Sequence, residues 1–443
     1  MNRRTFALAI GFVCLAFVLA IARANSAVVS ADGEGVLAFV GAKIYTSPTE
    51  PPIEDGTILI RGGKIEAVGK SGSVSIPVLA ARIGFKNKFI VAGFQNSHVH
   101  FTESKWDDAA KLPASKLWQQ LELMLTRYGF TTVVDLGSYL ENTAAIRERV
   151  ASGEVAGPRI LTAGGGMYPP NGAPYYLRGV LPPEALKMLP QPATPEEAVE
   201  VVRREIGGGA DVIKLFTGSL VERGQVKLIP EPIAAAAVAE AHRHDRLVFA
   251  HPSNIDGAMV AVHAQVDVLA HTTSVAGIWS EEMIAQMKRQ KMSLVPTLKL
   301  WKYEAAKSGA SAEDQLAFQS RAAKNLTAYA AAGGQILFGT DVGYMTDYDT
   351  TEEFAAMARA GMTPMQILAS LTTAPAERFG ESNRRGRIAP GMDADLVVLE
   401  RDPAEDATNF AKVCATYRGG KLIATGRAML FGAGGRTIPV CVD

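Results

Sequence analysis

Leu247-Val-Phe-Ala-His251 and Asp267-Val-Leu-Ala-His271 are two short apolar runs, each closed by a histidine. Between them, residues 254–264 repeat their apolar positions with helical period. A strand, a crossover helix and a second strand in so short a span make a β–α–β unit, whose strands run parallel. The alternation extends both ways along the chain. Strand-like runs fall at 89–91, 131–136, 159–163, 211–216, 247–250, 267–270, 293–298 and 335–339. Helical stretches fall at 114–128, 142–152, 195–206, 231–243, 254–264, 280–290, 313–332 and 350–360. Thr194-Pro-Glu-Glu197 opens one of them with a cap, a first-turn proline and two acids. Eight such alternations predict an α/β fold, a parallel (β/α)8 barrel of TIM type over residues 89–380.

The two ends have a different texture. Residues 36–40, 56–60 and 64–68 near the start are short β-prone runs separated by turn residues. Residues 395–399, 413–417 and 421–425 near the end repeat that pattern. Together they predict a small β-sandwich domain assembled from both ends, residues 25–88 and 381–443.

Composition removes several classes of function. The 443 residues are 48% hydrophobic and 20% charged, which supplies a sizeable core and argues against disorder. Lys+Arg and Asp+Glu are 45 each, so no basic surplus points to nucleic acid. Residues 1–24 read as a signal peptide: Met1-Asn-Arg-Arg4 is positive, Phe6 to Ala22 is an apolar run, and Ala22-Arg-Ala24 is a small-x-small cleavage site. Export to the periplasm is expected, by the general route or, given Arg3-Arg-Thr-Phe6, the twin-arginine route. Membrane association is expected only if this segment stays uncleaved. Outside it the cysteines are Cys414 and Cys441, which an oxidising compartment would allow to pair.

The ionisable residues fall where the predicted strands end. His98 and His100 lie just past the first strand, and Lys214 lies in the fourth. His251, His271 and Asp341 close the fifth, sixth and eighth. Barrel active sites are built at that end of the strands. In His98-Val-His100 the two imidazoles share one face, because strand side chains alternate. Imidazole and carboxylate together suit zinc and similar divalent ions. Lys214 is the odd member, since an ammonium repels a cation. A neutral amine removes the conflict, and so does an amine converted by CO2 to an anionic carbamate.

In that strand order, His98-Val-His100, Lys214, His251, His271 and Asp341 resemble the amidohydrolase superfamily. Asp211-Val-Ile-Lys214, Val268-Leu-Ala-His-Thr272, Val295-Pro-Thr-Leu298 and Gly339-Thr-Asp-Val-Gly343 resemble its imidazolonepropionase-like branch, which includes binuclear dipeptidases of prolidase type. Gly386-Arg-Ile-Ala-Pro-Gly391 and the following Met392-Asp-Ala-Asp395 resemble the branch's C-terminal β-domain signature. The resemblance spans nearly all of 36–427. It implies two divalent ions, zinc first, with manganese, iron or cobalt as alternatives. His98, His100 and Asp341 would hold the more buried ion, His251 and His271 the other, and carboxylated Lys214 would bridge them. A bridging hydroxide would attack the carbonyl of a small substrate, with Asp341 as general base and then acid in cleaving an amide C–N bond. Three alternatives stay open: a one-metal imidazolonepropionase-like hydrolase of cyclic amides, a lactonase or esterase on the same site, and a non-catalytic binding protein.

The loops depart from the familiar dipeptidases. Those carry Thr-Gly-Gly and a histidine after the third strand, where this chain reads Thr162-Ala-Gly-Gly-Gly-Met-Tyr168. The irregular stretch 164–194 supplies Tyr168, Tyr176 and Arg178 as candidate substrate contacts, and Trp279 follows the sixth strand. No residue of the loops stands out as a carboxylate clamp; Arg178 could serve, and the competing reading is a solvated arginine. His242, His244 and His263 read as structural, Asp135 as a stabiliser of the barrel mouth, and Asp393 and Asp395 as turn residues. The expected partner is a small-molecule substrate, and a homo-oligomer is compatible with the sequence.

Overall fold

A computed structural model describes residues 35–178, 181, 183–273 and 277–425. The predicted signal peptide and Cys441 lie outside these residues. Cys414 is disulfide-bonded, and the chain's other cysteines, Cys14 and Cys441, both lie outside the described part.

Two parallel sheets form the middle of the chain. One has three strands, Phe94–Val99, Phe130–Asp135 and Arg159–Thr162. The other has six, in the order Gln335–Ile336, Ser293–Val295, Val268–Ala270, Val248–His251, Ile213–Phe216 and Gly166–Met167. Hydrogen bonds join the sheets at both flanks. Asp211 N–H donates to Thr162 O at 2.7 Å, and Ser97 N–H donates to Phe338 O at 2.8 Å. The strands are buried on both faces, as parallel strands covered by helices must be. Their alternation is visible in the packing. Val133, Leu215, Leu269 and Leu294 join the large core against the helices. Their neighbours Val134, Phe249, Val268, Val295 and Leu337 form a separate inner cluster.

The helices begin where the sequence signals them. Thr194 Oγ1 accepts from Glu197 N–H ahead of Pro195–Gly207, and Ser280 and Ser311 cap Glu281–Arg289 and Ala312–Ala331 in the same way. Leu298–Lys307, Pro364–Leu371 and the hairpin Gly218–Glu222/Gln225–Leu228 were not foreseen.

Both chain ends enter one mixed eight-stranded sheet, in which Leu396–Leu399 pairs antiparallel with Phe89–Ala92. Strands from both terminal segments meet in this one hydrogen-bonded sheet. Phe89–Ala92 was expected as the first barrel strand. It belongs to the terminal sheet instead, and Phe94–Val99 takes its place in the parallel set. Gly93 is the crossing point, where a Cβ would lie 2.3 Å from Thr131 Oγ1. The interior of Phe94–Val99 carries Gln95, Asn96 and Ser97, so no apolar alternation marks this strand in the sequence. Asp393 and Asp395 are not free turn residues. They are buried, and ion pairs from Lys64 and Arg385 to Asp393, at 2.6 and 2.9 Å, and from Arg159 to Asp395 tie the terminal sheet to the third parallel strand.

Candidate active site

Asn96, His98 and His100 lie on one face of the first parallel strand and its end, because successive side chains alternate. Asn96 Oδ1 accepts from His98 N–H at 3.1 Å, and its amide donates to Thr340 Oγ1 at 2.7 Å. Asp341 N–H donates to His98 O at 2.9 Å. The first strand and the turn bearing Asp341 are thereby locked together. Two glycines permit the approach. A Cβ on Gly339 would lie 2.9 Å from His98 Cβ, and one on Gly343 would lie 1.9 Å from His100 O.

His100 Nδ1 lies 3.0 Å from Gly137 O. A carbonyl only accepts, so Nδ1 carries the hydrogen and Nε2 holds the lone pair. Asp135 organises this contact. Its buried carboxylate accepts from Ser138 Oγ at 2.6 Å, Thr162 Oγ1 at 2.8 Å and Gly137 N–H at 3.3 Å. The free Nε2 of His100 then faces Asp341 Oδ1 at 2.9 Å, and that oxygen is buried without a hydrogen-bond partner. Two acceptors at that separation repel each other. A metal ion or a proton between them relieves this, as does a hydrogen on His98 Nε2, which lies 3.2 Å from His100 Nε2. His98 Nε2 is 3.3 Å from the same oxygen. Ligand atoms of His98, His100 and Asp341 all lie within 4.8 Å of one another, so the three residues could hold a metal, and imidazole with carboxylate is a fitting donor set.

His271 follows Ala270, which already points into the inner cluster. Strict alternation would turn the next side chain outward. A φ of 81° breaks the alternation, a conformation non-glycine residues rarely adopt. The His271 ring centroid lies 4.7 Å from those of both His98 and His251. Its Nε2 is 4.0 Å from Asp341 Oδ2, and its Nδ1 is 2.6 Å from Thr297 Oγ1. His251 stacks on Phe216, which stacks on Tyr168, at centroid distances of 4.8 and 4.4 Å. Burial, and secondarily neighbouring positive charge, holds His98, His251 and His271 well below the usual imidazole range. All three are therefore neutral, the form that ligates metals.

Lys214 is 2% exposed, and burial pushes its amine down to about 7 against the opposing pull of Asp341. Its Nζ lies 5.6 Å from the Phe216 ring centroid. Charge on this amine is felt by His98, His251 and His271 alike. His98, His100, Lys214, His251, His271 and Asp341 thus come together in one cluster. His242, His244 and His263 do not; they pair with Asp267, Glu240 and Glu231.

The four candidate substrate contacts divide. Tyr168 is buried on Phe216. Tyr176 is half-buried, 5.8 Å from the Tyr344 ring, and burial followed by the Tyr168 and Asp341 charges raises its phenol well above the ordinary value. Arg178 is exposed and bound to the hairpin, donating to Glu222 Oε1 at 2.7 Å and Val221 O at 2.9 Å. Trp279 is a core residue, its indole N–H donating to Thr273 Oγ1 at 3.1 Å. Trp301 stands nearer the ligand cluster, 6.3 Å from the His271 ring, with its N–H on Thr272 Oγ1 at 3.0 Å. Tyr344 donates to Glu304 Oε1 at 2.7 Å. Trp301 and Glu304 sit on Leu298–Lys307, whose apolar positions could have been read as a helix following directly on the seventh strand.

That helix is anchored by Glu353, fully buried, whose carboxylate accepts from Leu298 N–H at 2.9 Å and Lys299 N–H at 2.6 Å. Burial pushes Glu353 up to about 7, outweighing these two bonds. The folded protein therefore keeps this proton to about pH 7, whereas the unfolded chain releases it near 4.5. The native state binds more protons in that window, so stability falls as pH rises through it. Glu353 is expected to account for about 3 kcal/mol of that fall. Urea unfolding of Glu353→Gln between these limits should show a flatter dependence than the parent. An equal slope would refute the assignment.

A model of the amidohydrolase family matches residues 89–423. The chain is similar to the ochratoxinase of Aspergillus niger, at 25% identity over 437 residues, covering 89% of this chain and 88% of that enzyme. Its fold is similar to that of a Xaa-Pro dipeptidase with methionine bound in the active site, at TM-score 0.75 and 23% identity over 88% of this chain and 99% of the other. A prolidase complexed with N-methylphosphonate-L-proline aligns at TM-score 0.72 and 25% identity, covering 88% of this chain and all of that one (100%). These likenesses imply that the α/β core is a barrel of TIM type, whose strand ends at one face are the place for such a cluster.

Proposed function

Because the chain belongs to the amidohydrolase family, we propose that it is a two-metal hydrolase cleaving an amide C–N bond in a small substrate. The observation that carries this reading is the His100 lone pair facing the unpartnered Asp341 Oδ1, in a cluster completed by His98, His251, His271 and Lys214. His98, His100 and Asp341 would hold one divalent ion, zinc in our reading, and His251 and His271 the second. Bound there, such ions lower the pKa of a water molecule and polarise the substrate carbonyl.

The protein's own groups do the rest. A buried Lys214 amine, its affinity for a proton lowered by burial, would attack CO2 through the nitrogen lone pair of its neutral form, lose one proton, and become a carbamate anion suited to lie between two cations. Asp341 takes a proton from the attacking water and returns it to the departing nitrogen, so that no charged amide nitrogen has to leave. Tyr168 and Phe216 wall the site beside His251, and Tyr176, Tyr344 and Trp301 line its approach. The dipeptidase and the prolidase among the similar structures favour an amide over an ester.

Removal of metal tests the reading. Protein purified without chelator is expected to carry about two ions per chain. Chelation should abolish hydrolysis of a panel of dipeptides and N-acyl amino acids, and added zinc should restore it. Hydrolysis that persists in the metal-free protein, or a panel in which only lactones react, would overturn it.

A further inference from the structure

His251 ends its strand, and the chain passes at once through Pro252, Ser253 and Asn254 into the helix Ile255–His263. The Asn254 side chain caps that helix by accepting from Gly257 N–H at 2.8 Å. The turn is pressed into its surroundings. A Cβ on Gly257 would lie 2.0 Å from the Pro252 carbonyl oxygen, and one on Gly218 would lie 2.1 Å from it. Two glycines, one from the same helix and one opening the hairpin strand Gly218–Glu222, therefore admit this carbonyl. The turn holds Ser253 at a φ of 55°, where glycine would be the unstrained residue. What serine adds is its hydroxyl.

That hydroxyl has two partners, Gly218 O at 2.9 Å and His251 Nε2 at 3.0 Å. It carries one hydrogen. The Gly218 carbonyl can only accept, so the hydrogen points there, and toward His251 the hydroxyl oxygen is the acceptor. His251 Nε2 must then be the protonated nitrogen, and Nδ1 keeps the lone pair. His100 is set the opposite way, with Nδ1 protonated against Gly137 O. One site thus fixes two imidazoles in two different tautomers, each through a backbone carbonyl.

We propose that Ser253 is a positioning residue: it relays the Gly218 carbonyl to His251, holds Nε2–H, and makes Nδ1 the nitrogen offered to a metal ion. The assignment rests on the reading of His251 as a ligand of the second ion. It also explains the two close glycine contacts, since without them Ser253 could not reach the carbonyl that orients its hydroxyl.

The test uses Ser253→Gly, which suits the positive φ and removes only the hydroxymethyl group. In the metal-free full chain, long-range proton–nitrogen correlation of 15N-labelled histidines is expected to show His251 as the Nε2–H form. Ser253→Gly should lose that preference. In zinc titrations the second ion should bind about 10–100-fold more weakly to the variant, with the first ion unchanged. Ser253→Asn, which tolerates this backbone and offers an amide oxygen, should recover part of the loss. His251 found as Nδ1–H in the parent, or unchanged in Ser253→Gly, would overturn the proposal. If the parent binds a single ion while the serine still sets the tautomer, the two-metal reading fails and the assignment of Ser253 stands.

Discussion

Asp341→Asn is expected to lower kcat/KM for amide hydrolysis by roughly 10³-fold, within the range for loss of a general acid–base group. The metal-free variant should nevertheless be at least as stable as the parent. The two effects have one geometric origin. In the metal-free parent, Oδ1 and the His100 Nε2 lone pair, 2.9 Å apart, are two acceptors that only a captured proton can reconcile. An asparagine amide can place an N–H there, turning a repulsion into a hydrogen bond of about 1 kcal/mol. It cannot accept and return a proton, and it is a poorer metal ligand than a carboxylate. Activity should therefore fall while the melting temperature of the metal-free form holds or rises. Hydrolysis within about threefold of the parent would remove Asp341 from the chemistry. A marked loss of stability without metal would show that the facing acceptors were misread.

The second large effect is expected at Lys214. Lys214→Ala should lose its complement of two ions and about 10²-fold or more in kcat/KM, since a ligand common to both positions is gone. The side chain is buried with its Nζ 5.6 Å from the Phe216 ring centroid, so its removal leaves a space beside that ring. A small carboxylate such as acetate or propionate, or bicarbonate, fits the charge and the chemistry of the lost carbamate. Adding one is expected to restore part of both the metal content and the activity. Rescue separates the carbamate from a merely structural lysine, because a filled cavity alone would restore stability without metal. Full activity of Lys214→Ala without any additive would refute the carbamate.

Much of this site was legible because its determinants are local. A histidine that closes a strand needs only the alternation of apolar residues before it to be placed, as at His251. His98-Val-His100 needs only the two-residue period of a strand. The same logic failed where polar residues fill a strand interior. Gln95, Asn96 and Ser97 hide the first parallel strand, because their hydrogen bonds to Thr372, Thr340 and Phe338 are made across the fold. Arg178 and Trp279 were attractive as substrate contacts for their chemistry, but their partners decided otherwise. Glu222 lies on an unforeseen hairpin, and Thr273 and Asn325 bind Trp279 from separate elements. Trp301 and Tyr344 approach the cluster through a helix and a turn that no strand period announces.

The βα alternation and the placing of imidazole, amine and carboxylate groups at strand ends were therefore already written in the residue order. Each follows from side-chain periodicity along a single segment. Tertiary structure alone decided which nitrogen each imidazole offers, which oxygen of Asp341 is left without a partner, and how far Lys214 is removed from water. Those properties belong to pairs of groups brought together from distant segments: Gly137 and His100, Gly218 and Ser253, Glu353 and Leu298. A hydrogen bond's direction is set by both partners at once, and only the folded chain brings both partners to the same place.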